Sequence, residues 1–152
     1  MNEKGITLVA LTITVIVTLI IASVSITVSL DNAKKSRESI AKSELGMVGN
    51  AIVQTNTKYE IAKEDPNNSI GKKIEQSQYD EINAVLQTKS LSLKSNQVGD
   101  YILLEPEKGL KQIGINNTED TYIVSFKTGE VFNYTKKKTN EGTILYVNAY
   151  GE

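Results

Sequence analysis

The chain has 152 residues, a net charge of −1, and neither cysteine nor histidine. That composition excludes disulfides, thiolate chemistry, Cys/His zinc sites and Ser-His-Asp catalysis. Its basic residues are lysines apart from Arg37, and with a pI near 5.6 it lacks the basic, arginine-rich footprint of a nucleic-acid binder.

Residues 1–5, Met-Asn-Glu-Lys-Gly, are a short charged head. Ile6 to Leu30 then runs for 25 residues without a charge. As a helix this is about 37 Å long, against a bilayer hydrocarbon core of about 30 Å. The run is rich in β-branched residues, which favour strands in water. In lipid every backbone group must be satisfied within the segment, and that predicts a helix. Its many hydroxyls (Thr7, Thr12, Thr14, Thr18 and the serines beyond) are tolerated there by bonding back to carbonyls one turn earlier. A competing reading is an ordinary secretory signal cleaved near Ala22-Ser23-Val24-Ser25. Such signals have apolar cores of about 7–15 residues, and this run is longer.

From Asp31 the helix is expected to continue in amphipathic form. Ala33, Ile40, Met47/Val48, Ala51/Ile52, Tyr59 and Ala62 recur at spacings of three, four and seven. Gly46 and Gly49 weaken its middle by about 1 kcal/mol each relative to alanine. An end near Glu64 is set by Pro66, which disfavours a helical Asp65. Turn formers make Asp65 to Gly71 a loop, Ile74 to Thr88 reads as a second short helix, and Lys89 to Gly99 as a connection. The period then changes. Tyr101–Glu105, Leu110–Ile115, Tyr122–Lys127, Glu130–Tyr134 and Thr143–Val147 read as short strands separated by turn-rich segments. Lys127-Thr128-Gly129-Glu130 is a tight hairpin signal with a positive φ expected at the glycine. The fold class is therefore α+β: a long N-terminal helix with an apolar first half and an amphipathic second half, a short second helix, and a C-terminal antiparallel β-meander.

No catalytic constellation is visible, and no metal or other cofactor is implied. Asp80-Glu81 and Glu119-Asp120 are adjacent carboxylates that read as helix-start and turn residues. The oxygen-rich loop Glu64 to Ser69 lacks EF-hand spacing, and Lys136-Lys137-Lys138 reads as a solvated hairpin tip. Asn67, Asn116 and Asn133 open sequon triplets but read as turn and strand residues. Tyr101, Tyr122, Tyr134, Tyr146 and Tyr150 gather in the strand region, where core packing is weighed against a solvent-facing binding stripe.

The head ending in Lys4-Gly5, followed by Ile6-Thr7-Leu8-Val9 at the start of an apolar helix, resembles the class III signal of type IV pilins and pseudopilins. The segment Tyr122 to Phe132 also resembles the last hairpin of pilin-like proteins from Gram-positive bacteria. The resemblance implies a leader 1–5, a transmembrane and filament-core helix 6–30, and a globular pilin-like head 31–152. A membrane prepilin peptidase would cleave between Gly5 and Ile6, and Ile6 would be N-methylated. Expected partners are the membrane, the peptidase and other pilin subunits packed through the N-terminal helix. The expected place is the cytoplasmic membrane with the head outside, then a cell-surface filament. One position departs from the family pattern: the fifth residue after the cleavage point, commonly a glutamate, is Ala10. That favours a minor or atypical subunit, or a pseudopilin or adhesin-type module of a secretion or DNA-uptake machine outside the filament body. Lysines 34, 35 and 42 with Arg37 also place more positive charge after the run than before it. The positive-inside count therefore favours the opposite orientation; the orientation implied by the resemblance is the one adopted.

Overall fold

The computed structural model describes residues 3–137 and 145–151, and within its first helix the side chains of 8–22 and 32–62. The elements are α1 (Glu3–Ala62), β1 (Lys72–Lys73), α2 (Gln76–Gln87), β2 (Ile102–Leu104), β3 (Tyr122–Val124), β4 (Glu130–Asn133), α3 (Tyr134–Lys137) and β5 (Tyr146–Asn148), with 3-10 turns at Pro66–Asn68, Val98–Asp100 and Lys111–Ile113. The chain divides into two compact units, residues 1–40 and 41–152. The protein is thus α+β, with a five-stranded antiparallel sheet in the order β1-β2-β3-β4-β5.

In the second unit the sheet is buried on both faces. Side chains alternate along a strand, and the register carries that alternation across the sheet. Ile102 pairs with Val124, and Val124 with Val131. These residues share one core with Tyr122, Leu104, Leu110 and the α1 residues Ala41, Leu45, Val48 and Ile52. On the opposite face Leu103 pairs with Ile123 and Ile123 with Phe132, and they pack with Ile82 and Leu86 of α2. Phe132 stacks on Tyr146 across the β4–β5 pair at 5.0 Å between ring centroids. Burial from both sides explains why Tyr101–Leu104 is a solid apolar run rather than an alternating one.

The stripe of α1 that meets the sheet differs from the expected one. Val48 and Ile52 are buried and Tyr59 packs at the core's edge, as the spacing predicts. Ala41, Leu45 and Thr55 complete the stripe, whereas Ile40, Met47 and Ala62 are exposed. Apolar residues stand side by side at 40/41, 47/48 and 51/52, so periodicity leaves the choice of face open by one residue. Gly46 and Gly49 lie within the helix; Gly49 faces β5, with Val147 and Ala149 in van der Waals range of a would-be Cβ. At its end Lys63 adopts φ +56°. Its N–H donates to the Glu60 carbonyl and that of Glu64 to the Tyr59 carbonyl, the paired bonds of a Schellman stop.

Two further expectations need correction, and one strand was not expected. Helix α2 begins at Gln76, not Ile74, with the Gln78 side chain reaching back to accept the Glu75 N–H at 2.9 Å. Lys72–Lys73 ahead of it, where the sequence predicts no element, is an edge strand of two exposed residues. Leu110–Ile115 is not a strand. Gly109 and Gly114, with φ +102° and +86°, bracket a 3-10 turn that places Leu110, Ile113 and Ile115 against the core. Gln112 on that turn donates to the Ser69 carbonyl at 3.1 Å and accepts from the Gly71 N–H at 3.0 Å, tying the loop before β1 to it. The hairpin glycine has the expected positive φ, +74°. Of the last expected strand, Thr143 and Ile144 lie outside the described residues, and Lys138 of the lysine triplet does also.

Two glycines give opposite expected outcomes. Gly71 has φ +63°, and a Cβ there would stand 2.6 Å from the Leu103 carbonyl oxygen; Gly71→Ala is expected to lower unfolding stability by about 3 kcal/mol or more. At the exposed helical Gly46 no atom lies within 4 Å of a would-be Cβ, so Gly46→Ala should raise stability by about 0.5–1 kcal/mol. Urea unfolding followed by circular dichroism measures both.

Candidate functional site

The residues that the sequence marks for function lie in the first unit. Lys4, Gly5 and Ile6 fall within the backbone of α1, while their side chains, and Met1 and Asn2 of the head, lie outside the described residues. Ala10 is exposed, and its carbonyl accepts the Thr14 hydroxyl at 2.9 Å. Thr12 and Thr18 bond back to the carbonyls of Leu8 and Thr14 at 2.9 and 2.8 Å. These hydroxyls are satisfied by their own helix, as the sequence predicts. The outward surface of 8–22 is therefore set by Leu8, Val9, Leu11, Ile13, Val15, Ile16, Val17, Leu19, Ile20 and Ile21, all exposed. Among the described residues no helix is long and apolar enough to cross a membrane.

The second unit contains a polar centre that no sequence motif announced. Glu130 opens β4 on the same face as Phe132 and is 1% exposed. Its carboxylate accepts the Tyr101 hydroxyl at 2.6 Å, the Thr128 hydroxyl at 2.7 Å and the Lys94 N–H at 3.1 Å. Tyr101 in turn accepts from the Ser95 N–H at 3.1 Å, and the Tyr79 hydroxyl donates to the Ser95 carbonyl at 2.8 Å. The rings of Tyr79 and Tyr101 meet edge-on at 5.7 Å. These contacts stitch the connection after α2 to the sheet. At its far end Asp100 accepts the Ser95 hydroxyl at 2.5 Å and the Lys127 ammonium at 2.9 Å. The one signal in the sequence is period two: a charge in register with a buried aromatic.

Burial, the hydrogen bond to Glu130 and that carboxylate's charge push the Tyr101 phenol far above its usual range. Burial also raises Tyr122, to about 12, reinforced by Asp120 and Glu44 and partly offset by Thr118 and Asn133, neither of which bonds its hydroxyl in good geometry. For Asp100, burial acts to raise the carboxyl, but the Ser95 hydroxyl and the Lys127 ammonium outweigh it and hold it below the usual range.

The arrangement is a hydrogen-bonded network that holds the connection after α2 to the sheet. Donors and acceptors face one another, and no group of three or more metal-ligating side chains converges among the described residues. The adjacent carboxylates go to separate structural tasks. Glu81 accepts the Tyr134 hydroxyl, Asp80 the Gln76 amide and Asp120 the Asn133 amide, each at 2.8 Å. Asn133 is fully buried, so its sequon cannot receive a glycan. Of the strand-region tyrosines, Tyr101 and Tyr122 are core residues, Tyr134 and Tyr146 are half-buried against the second core, and Tyr150 is exposed with its hydroxyl bonded to the Phe126 carbonyl. Comparison with protein-family models, curated proteins and solved structures found no match.

Tyr101→Phe removes one of three donors from the buried Glu130 carboxylate and should lower stability by about 1–3 kcal/mol, measured by urea unfolding. With their pKa values raised, Tyr101 and Tyr122 contribute stability that is complete below about pH 10 and is lost as pH rises. An ultraviolet titration should show these two of the seven tyrosines ionising only as the chain unfolds. For Asp100 the sign reverses: its contribution is present above about pH 4 and is lost as pH falls through the lowered value. Asp100→Asn should flatten that acid limb. Lys127 is 62% exposed, so screening keeps its share small.

Proposed function

We propose that this protein is a structural subunit of a type IV pilus-like surface filament, a minor or atypical pilin that is membrane-anchored before assembly. The observation that carries the reading is the junction Gly5–Ile6, placed after Lys4 and directly ahead of the 25-residue uncharged run to Leu30. A prepilin peptidase would cleave at this junction and Ile6 would be methylated. The run would first sit in the cytoplasmic membrane as a single span with the head outside. It would then pack against the same helix of other subunits, exchanging lipid contact for helix–helix contact, to which its many small and hydroxyl residues are suited. An α+β head with α1 residues 41–62 on one face of an antiparallel sheet supports the reading, since the resemblance implies that arrangement.

A second reading is favoured by Ala10. Where the family pattern has a carboxylate to meet a neighbour's N-terminal amine, this chain has a methyl group, and the carbonyl beside it is taken by Thr14. On this reading the protein is a membrane-anchored pseudopilin or adhesin-type module of a secretion or DNA-uptake machine. Its head would engage a ligand outside the filament body.

Intact-mass measurement on the protein from its native membrane or surface fraction tests the shared premise. Loss of residues 1–5 is expected, with about 14 Da added where one methyl is attached. A mature start near residue 24 would instead mean an ordinary signal peptide and sink both readings. Shearing cells separates the two: release as a polymer supports the filament subunit, and retention in the membrane supports the module. Ala10→Glu should increase incorporation into sheared filaments where the absent carboxylate limits assembly; unchanged incorporation removes that explanation.

A further inference from the structure

Lys34, Lys35 and Arg37 lie within one turn of α1, shortly after the uncharged run ends, and all three are exposed. Asp31 and Glu38 stand four residues along the helix from Lys35 and Lys34, so residues 31–38 together carry three positive charges, two negative ones and a net charge of +1. At 1.5 Å per residue these side chains start about 6 to 10 Å beyond Leu30. The headgroup layer of a bilayer is about 5–8 Å thick on each side. Helical side chains lean toward the N-terminus, here back toward the apolar run, and lysine and arginine stems are long enough to extend their charged ends to an interface. Arg37, the chain's one arginine, supplies the planar fork that matches a phosphate.

We propose that Lys34, Lys35 and Arg37 form a collar that binds the headgroups of anionic phospholipids and sets the depth at which the run leaves the bilayer. The proposal rests on the reading that residues 6–30 enter a membrane. It holds for either orientation of the span, because the collar adjoins the same end of the run. Each basic residue at an anionic surface is worth roughly a fivefold gain in association, and the gain fades as salt screens it. The collar would thus hold the subunit against tilt and withdrawal until assembly removes it from lipid.

The chain lacks cysteine, so single probes can be placed cleanly in the full-length protein. In one preparation Ile16→Cys carries bimane to report entry of the run into lipid; in another Ser36→Cys carries it to report headgroup contact. Both are reconstituted in vesicles of phosphatidylcholine alone or mixed with phosphatidylglycerol, with a headgroup spin-labelled lipid as quencher. Quenching at residue 36 should rise when phosphatidylglycerol is present and fall back with added salt. In Lys34→Gln/Lys35→Gln/Arg37→Gln it should drop to the phosphatidylcholine level, while the residue-16 signal stays that of a buried probe. A residue-36 signal indifferent to phosphatidylglycerol or to the triple substitution overturns the collar and leaves the membrane reading intact. A residue-16 probe that never reaches lipid overturns the membrane reading and the collar with it.

Discussion

The second unit depends on one sheet being shared by two cores. Strands β2, β3 and β4 supply Ile102, Val124 and Val131 to the face covered by α1 residues 41–62, and Leu103, Ile123 and Phe132 to the face covered by α2. Each helix completes one core, and each is held because its apolar stripe meets one face of the same sheet. Fully burying one such side chain is worth about 1.5–3 kcal/mol, and the gain is available only while strand register keeps alternate residues on alternate faces. A one-residue slip would exchange the two cores.

Double burial also restricts the polar groups near the sheet. Glu130 lies in line with Phe132 and has no route to solvent on that face, so its carboxylate is stable only with donors around it. Tyr101, Thr128 and the Lys94 N–H supply them, and in doing so they fix the connection between α2 and β2. A charge inside the fold thus becomes the fastener for a segment with few apolar residues of its own. The edge strand β1 shows the opposite situation. Its two exposed lysines keep a short edge from pairing with another chain.

Part of this is legible in the sequence. The positive φ at Gly129 follows from the turn chemistry of residues 127–130. Pro66 bars a helical Asp65 by a local clash, which bounds α1 from the sequence, while the stop itself falls at the Schellman turn after Ala62. Strands β2 to β4 were found because β-branched and aromatic runs stood between turn formers. Misreadings arose where local pattern was degenerate. Apolar pairs at 40/41 and 47/48 hid which face of α1 is covered. Leu110 to Ile115 looked like a strand because residue type alone cannot show that the flanking glycines curl the chain into a turn. Strand β1 exists only because β2 pairs with it.

What the sequence by itself determined is the order of composition along the chain: five residues with two charges, an uncharged run, a basic cluster after it, and an α+β remainder. These are matters of composition and order along the chain, and no folding is needed to read them. Tertiary structure alone decided that α2 covers a second face of the sheet, that Glu130 is buried and satisfied, and that Gln112 ties the loop before β1 to a turn some forty residues later. Each of those depends on which distant residues are brought within a few ångströms. That is set by the summed packing of two cores and not by any local preference.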